Sequence, residues 1–142
     1  MFGPNSIVDY HYEMKYSHRT EKFKQLFKEC RNTLIQKFQL QEYDLVFIPG
    51  SGTSGMEAVI SSLKDKVNIS GPEGKFKSRW LEYAKNNGKY DEASKISLFC
   101  QLETSNGKVY EEKYGIVDAI SSFPYYEIPE GTRCFVTCSN KQ

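Results

Sequence analysis

After Thr20, apolar residues recur at helical spacing: Phe23, Leu26, Phe27, Cys30, Leu34 and Phe38, with Lys and Glu between them. Steps of three and four residues place them on one face of a helix, and Thr20 is a suitable N-cap. The next apolar stretch has a different pattern. Asp44-Leu45-Val46-Phe47-Ile48 is a short continuous run, with the length and composition of a buried strand. It leads into Pro49-Gly50-Ser51-Gly52-Thr53-Ser54-Gly55, after which Met56, Val59, Ile60 and Leu63 return to helical spacing. Lys66-Val67-Asn68-Ile69-Ser70 predicts a short strand, and Gly71-Pro72-Glu73-Gly74 a loop. A third helix is predicted from about Lys75, with Phe76, Trp80, Leu81 and Ala84 on one face and Gly88 as its stop. Helix, strand, helix, strand, helix predicts an α/β fold with a mostly parallel sheet and covering helices.

From Lys89 the rhythm shortens. Ile96 to Leu102, Gly115 to Ala119 and Thr132 to Thr137 each predict a strand, and Ser105-Asn106-Gly107 predicts a turn. Parallel neighbours need long crossovers, usually helical. These late connections barely allow one, so either some late strands pair antiparallel or the expected helices are missing. In the second case apolar sheet surface such as Phe99, Val117 and Phe135 would stay partly open and seek a partner.

The chain has 142 residues, which suits a single domain, and residues 1–17, rich in Tyr, are expected as an extended N-terminal arm. Net charge is +1 with acids and lysines interspersed, so neither nucleic acid nor an anionic membrane is an expected partner. No run reaches the ~20 apolar residues of a membrane span and no basic-then-apolar leader opens the sequence. A soluble, cytoplasmic protein is expected. Cys30, Cys100, Cys134 and Cys138 form no C-x-x-C pair and have no nearby histidine, so buried thiols are expected and no metal site.

The glycine turn carries the first candidate chemistry. Glycines let main-chain amides approach a ligand, Ser51 and Thr53 supply hydroxyls, and a helix start adds unpaired N–H groups and a positive dipole end. Together these make a phosphate cradle. Ser51 or Thr53 serves equally well as a plain helix cap. Polar residues also follow the later strands: Glu103 and Thr104, then Asp118, then Ser139, Asn140 and Lys141. Strand carboxyl ends are where open α/β sheets bind ligands. Asp118 has the alternative role of capping a helix begun at Ser121, and Lys141 that of a frayed terminal lysine. A phosphate cradle, an acid, a hydroxyl and a lysine on one rim are the parts needed to hold pyridoxal phosphate.

Five blocks, in order, resemble the class V aminotransferases of fold type I: Tyr16 to Phe23, Pro49 to Ala58, Glu103 to Gly107, Val117 to Phe123 and Thr137 to Lys141. The resemblance implies a compact, truncated version of that family's large domain. It implies that Ser51, Gly52 and Thr53 bind the cofactor phosphate, that Thr104 bonds the ring hydroxyl and that Asp118 partners the pyridine nitrogen. Lys141 matches the Schiff-base lysine, which also acts as general base, and Asn140 stands beside it near the phosphate. Phe76 is similar in position to the aromatic that stacks on the ring, with core packing as its other role.

There are departures. Family members run on past the lysine into a C-terminal domain that supplies the arginine for the substrate carboxylate, whereas this chain stops one residue after Lys141. The helix expected between the Asn106 turn and Asp118, twelve positions apart, has no room. The expectation is a pyridoxal-phosphate-dependent transaminase acting on a small amino acid or aminophosphonate and a 2-oxo acid, as a homodimer or with a complementary chain. A non-catalytic remnant or half-module is the alternative, and a weaker one is a dinucleotide-binding domain through Gly50-x-Gly52-x-x-Gly55. That last reading lacks an acid at the end of the second strand and leaves Asp118 and Lys141 unexplained.

Overall fold

The structure, a computed structural model, describes residues 17–139. They fall into two compact units, divided between Ile48 and Pro49. The N-terminal arm lies outside the described residues, Ser17 excepted.

The first unit holds helix α1 (Glu21–Lys37). Thr20 caps it in extended conformation, its hydroxyl accepting the Phe23 amide, as the spacing predicts. Gln39 takes positive φ just past the helix, and the Leu40 amide returns to the Ile35 carbonyl. The apolar face of α1 contains no buried residue; Phe27 meets Phe47 edge-on at 5.0 Å, and Cys30 is exposed rather than buried. The predicted strand 44–48 does not form. Its backbone is paired with no strand among the described residues, and Val46 is 77% exposed. A strand exists only where a neighbour takes up its N–H and C=O groups, so apolar composition alone did not suffice.

The second unit contains the sheet. Its elements are α2 (Gly52–Ser62), β1 (Asn68–Ile69), α3 (Lys75–Asn86), β2 (Ser97–Cys100), β3 (Leu102–Glu103), β4 (Lys108–Val109), β5 (Ile116–Asp118) and β6 (Cys134–Val136). Four strands pair parallel in the order β1-β2-β5-β6, with Ile69 opposite Leu98, Phe99 opposite Val117 and Asp118 opposite Val136. The late strands therefore pair parallel and the helices are missing. The β2–β5 connection is the antiparallel β3–β4 hairpin, turned through Gly107 at φ 73°, and turns alone join β5 to β6.

The two faces of this sheet are covered differently. On one, α2 packs on β6 and α3 on β1 and β2, burying Met56, Ile60, Trp80, Ala84, Leu98 and Ile116 together. On the other, loop aromatics take the place of helices: Tyr110 lies edge-on to Phe99 at 5.4 Å, and Phe123 tilts against Phe135 at 5.4 Å. Phe99 and Val117 are fully buried as a result, against the expectation of open surface, and only Phe135 stays half-buried. Gln101, also fully buried, ties the covering loop down. It accepts from the Ser122 hydroxyl at 2.6 Å and donates to the Glu127 carbonyl at 2.6 Å. Such pairing removes the penalty that an unsatisfied buried amide would bring.

Candidate functional site

Because all four strands run the same way, the helices that follow strands start at one rim, where the strands also deliver their C-terminal residues. Helix α2 follows no strand, but its first residue, Gly52, packs against Ile120 just past the end of β5 and so also lies at this rim. Ser51 caps it, its hydroxyl accepting the Ser54 amide at 3.1 Å, while Gly55 donates to the Ser51 carbonyl. The capping role foreseen for Ser51 is thus real, and as the first amides of a helix, those of Gly52 and Thr53 have no intrahelical acceptor. The glycines also have packing reasons. A Cβ on Gly52 would sit 2.7 Å from Ile120, and one on Gly55 2.8 Å from Val136, so the helix approaches β5 and β6 as closely as it does only without side chains there.

Asp118 ends β5 at 4% exposure. Its Oδ2 accepts the indole N–H of Trp80 at 2.8 Å, and its Oδ1 accepts the Ile120 amide at 3.1 Å. The second contact is a local turn two residues on, with no helix following, so Asp118 is not a helix cap. Trp80 comes from α3, and so does Phe76 one turn earlier. Arg79 lies over the Phe76 ring at 5.3 Å and reaches the Thr53 hydroxyl at 3.4 Å. Ser51, Gly52, Thr53, Phe76 and Asp118 are therefore brought to one rim by α2, α3 and β5.

Thr104 is exposed in the β3–β4 turn, with no hydrogen bond to those residues among the described ones. Asn140 and Lys141 lie outside the described residues. The pairing of Val136 with Asp118 sends the chain out of β6 at the same end of the sheet, and Ser139 is its last described residue.

Glu103, to which the sequence reading assigned no role, holds the start of α3. One per cent exposed, its Oε2 accepts the amides of Phe76 at 2.9 Å and Lys77 at 3.3 Å, and its Oε1 accepts the Ser105 hydroxyl at 2.5 Å. Burial pushes its carboxyl up, but the bonds from Ser105, Phe76 and Lys77 outweigh this and hold it below the usual range. Gly74 leaves the room this needs, since a Cβ there would lie 2.1 Å from the Glu103 side chain. Burial, and then the Asp118 and Glu103 carboxylates, push the neighbouring Cys100 thiol far up, so it is a protonated packing group and no nucleophile. A shallow depression of about 780 Å³, lined among others by Lys75, Arg79, Ser105 and Asn106, lies over the start of α3 and touches neither Ser51 nor Asp118.

Arg79 and Trp80 are the residues that sequence reasoning missed at this rim; Glu103 was placed there but given no role. A faint signal existed for Arg79, three positions after Phe76 on the same helix. For Glu103 the signal was an acid set just before a turn.

This fold is found in solved aminotransferases. The chain is similar to a phosphoserine aminotransferase from Cytophaga hutchinsonii, with TM-score 0.68 and 23% identity, over 80% of this chain and 40% of that one. It is similar to an alanine–glyoxylate aminotransferase from Nostoc sp., with TM-score 0.65 and 21% identity, over 82% of this chain and 40% of that one. The fold is thus that of an aminotransferase, seen over 40% of the length of these structures. No protein-family profile and no curated protein matches the sequence. Among the described residues no helix is long and apolar enough to cross a membrane.

Proposed function

We propose that the chain binds pyridoxal phosphate and belongs to an aminotransferase of the class V type, moving an amino group between a small amino acid or aminophosphonate and a 2-oxo acid. The observation that carries this is the buried Asp118 carboxylate, set at the rim where α2 starts and held by two neutral N–H donors. The residues fit the cofactor's chemistry. A buried carboxylate is the kind of acceptor a ring N–H needs, and the α2 start offers amides, the Ser51 hydroxyl and the nearby Arg79 charge to a phosphate. Thr104 and Asn140 complete the set in this reading, on the sequence resemblance.

When bound, the cofactor supplies an electron sink for the bond broken next to the amino group. The chain's own part is to hold and to move protons. Asp118 would keep a proton on the pyridine nitrogen, Ser51, Gly52 and Thr53 would hold the phosphate, and the Phe76 ring would lie against the cofactor ring. Lys141 would hold the cofactor through its amine and, once the substrate amine has displaced it, would carry the proton from the substrate α-carbon. A dimer, or assembly with a complementary chain, supplies the remaining substrate contacts in this reading.

Incubation of the full chain with pyridoxal phosphate, borohydride reduction and peptide mapping tests it, with Lys141→Ala as control. Labelling confined to Lys141 supports the reading. Labelling spread over surface lysines and unchanged in Lys141→Ala favours the alternative of a non-catalytic module that keeps only the fold. The dinucleotide reading gains nothing from the structure, because a fingerprint of that kind needs a strand feeding its turn and residues 44–48 form none.

A further inference from the structure

The turn between β3 and β4 is tied to the start of α3 by one buried carboxylate. Glu103 accepts the Phe76 and Lys77 amides through Oε2, and the Ser105 amide and hydroxyl through Oε1, at 3.2 and 2.5 Å. Ser105 in turn accepts the Lys75 amide at 3.1 Å, and the Asn106 side chain donates to the Glu73 carbonyl at 2.7 Å. The Glu103 carbonyl takes the Asn106 and Gly107 amides, which closes the turn on the same residue. Residues 103–107 and 73–77 thus form one unit, although Glu103 and Phe76 lie 27 residues apart. A hydroxyl next to the helix, as Ser51 is at α2, would start α3 equally well and leave the turn untethered. A carboxylate from β3 fixes both, and at 1% exposure its bonds meet little competition from water.

This unit carries two of the residues assigned to the cofactor ring, Phe76 on the helix and Thr104 on the turn. We propose that Glu103 is a positioning residue for that ring: by tying the α3 start to the β3–β4 turn, it sets Phe76 and Thr104 in a fixed relation before any cofactor arrives. The inference rests on the cofactor reading above. A carboxylate that only stabilised the fold would leave the surroundings of the ring unchanged in any variant that still folds. The two roles separate in Glu103→Gln, which keeps the shape and gives up the charge. Ile60→Val, in the core near the far end of α2, is the control for lost stability alone.

The experiment has two readouts on the full chain. Without cofactor, hydrogen exchange follows the Phe76 and Lys77 amides, which as first-turn amides have no acceptor within α3. They are expected to exchange slowly, and at least about tenfold faster in Glu103→Gln when measured against the β2 and β5 amides, which report overall stability. Fast exchange in the unmodified chain overturns the tie. With pyridoxal phosphate, Glu103→Gln is expected to bind about tenfold more weakly, the usual scale for a lost supporting contact. The induced circular dichroism of the bound cofactor, which reports how its ring is held, should fall with it, while Ile60→Val keeps both. Equal affinity and dichroism in Glu103→Gln overturn the positioning role. If Glu103→Gln does not fold, Ser105→Ala, which loses the bonds from Lys75 and to Glu103 but keeps the charge, is read in the same way. No uptake by the unmodified chain overturns the cofactor reading, and with it any role of Glu103 toward the ring. That failure is recognisable because the Phe76 and Lys77 amides would still respond to Glu103→Gln.

Discussion

Helices α2 and α3 both start at a glycine on the same rim, but different groups meet their first amides. At α2 the cap is the Ser51 hydroxyl, neutral and exposed. At α3 the first residues have no cap from their own segment, and the buried Glu103 carboxylate reaches across from β3 to take two of the amides. A helix start carries a partial positive charge that favours an anion. That of α3 is answered by an internal anion, which would repel a second one, whereas that of α2 is left to a neutral group. Of two similar helix starts, one is closed by a buried acid and the other is capped only by a neutral hydroxyl.

Five substitutions break or sharpen this difference, the largest effect first. Gly74→Ala places a methyl group 2.1 Å from the Glu103 side chain and must displace the carboxylate from the helix. A loss of about 2–4 kcal/mol in urea unfolding is expected. Glu103→Gln keeps the shape but gives up the charge, for a loss of about 1.5–3 kcal/mol at neutral pH.

The Glu103 effect has a pH signature. The folded carboxyl lies below its unfolded value, so its stabilisation is complete above the unfolded value, near pH 4.5, and fades as pH falls through the folded one. Unfolding curves of the parent and Glu103→Gln are expected to converge on acidification below that point. Curves that stay parallel would show that Glu103 acts through packing alone.

Ser51→Ala removes the α2 cap for about 1 kcal/mol of stability. Its companion Ser51→Asp keeps a cap and makes α2 resemble α3. It is expected to fold normally while losing pyridoxal phosphate uptake in equilibrium dialysis, and undiminished uptake would end the argument that α2 is the phosphate end. The smallest effect belongs to Arg79→Gln. This exposed cation reaches Thr53 at 3.4 Å, and its loss is expected to change stability by under about 0.5 kcal/mol. Cofactor affinity in that variant should fall more visibly at low salt than at high salt.

Much of this was legible along the chain. Local signals are short-range physics, and they came through: Thr20 and Ser51 as caps, Gly88 at φ 66° past the end of α3, Gly107 in the hairpin turn, and the apolar cores of β2, β5 and β6. Asp118 at a strand end was readable because an acid closing a buried apolar run has few other reasons to be there. The run 44–48 misled for the opposite reason. Its composition is that of a strand, but a strand is a property of two segments, and none of the described segments pairs with this one.

By itself, then, the sequence determined the α/β class, the helix ends and the place of Asp118 at the end of a strand, since each depends on neighbours a few positions away. Tertiary structure alone decided which groups meet. Tyr110 and Phe123 cover a face that lacks helices, Glu103 closes the start of α3 from 27 residues downstream, and Trp80 reaches Asp118 across 38. Such contacts depend on register and on the room a glycine leaves, and the spacing of residues along one segment carries no record of either.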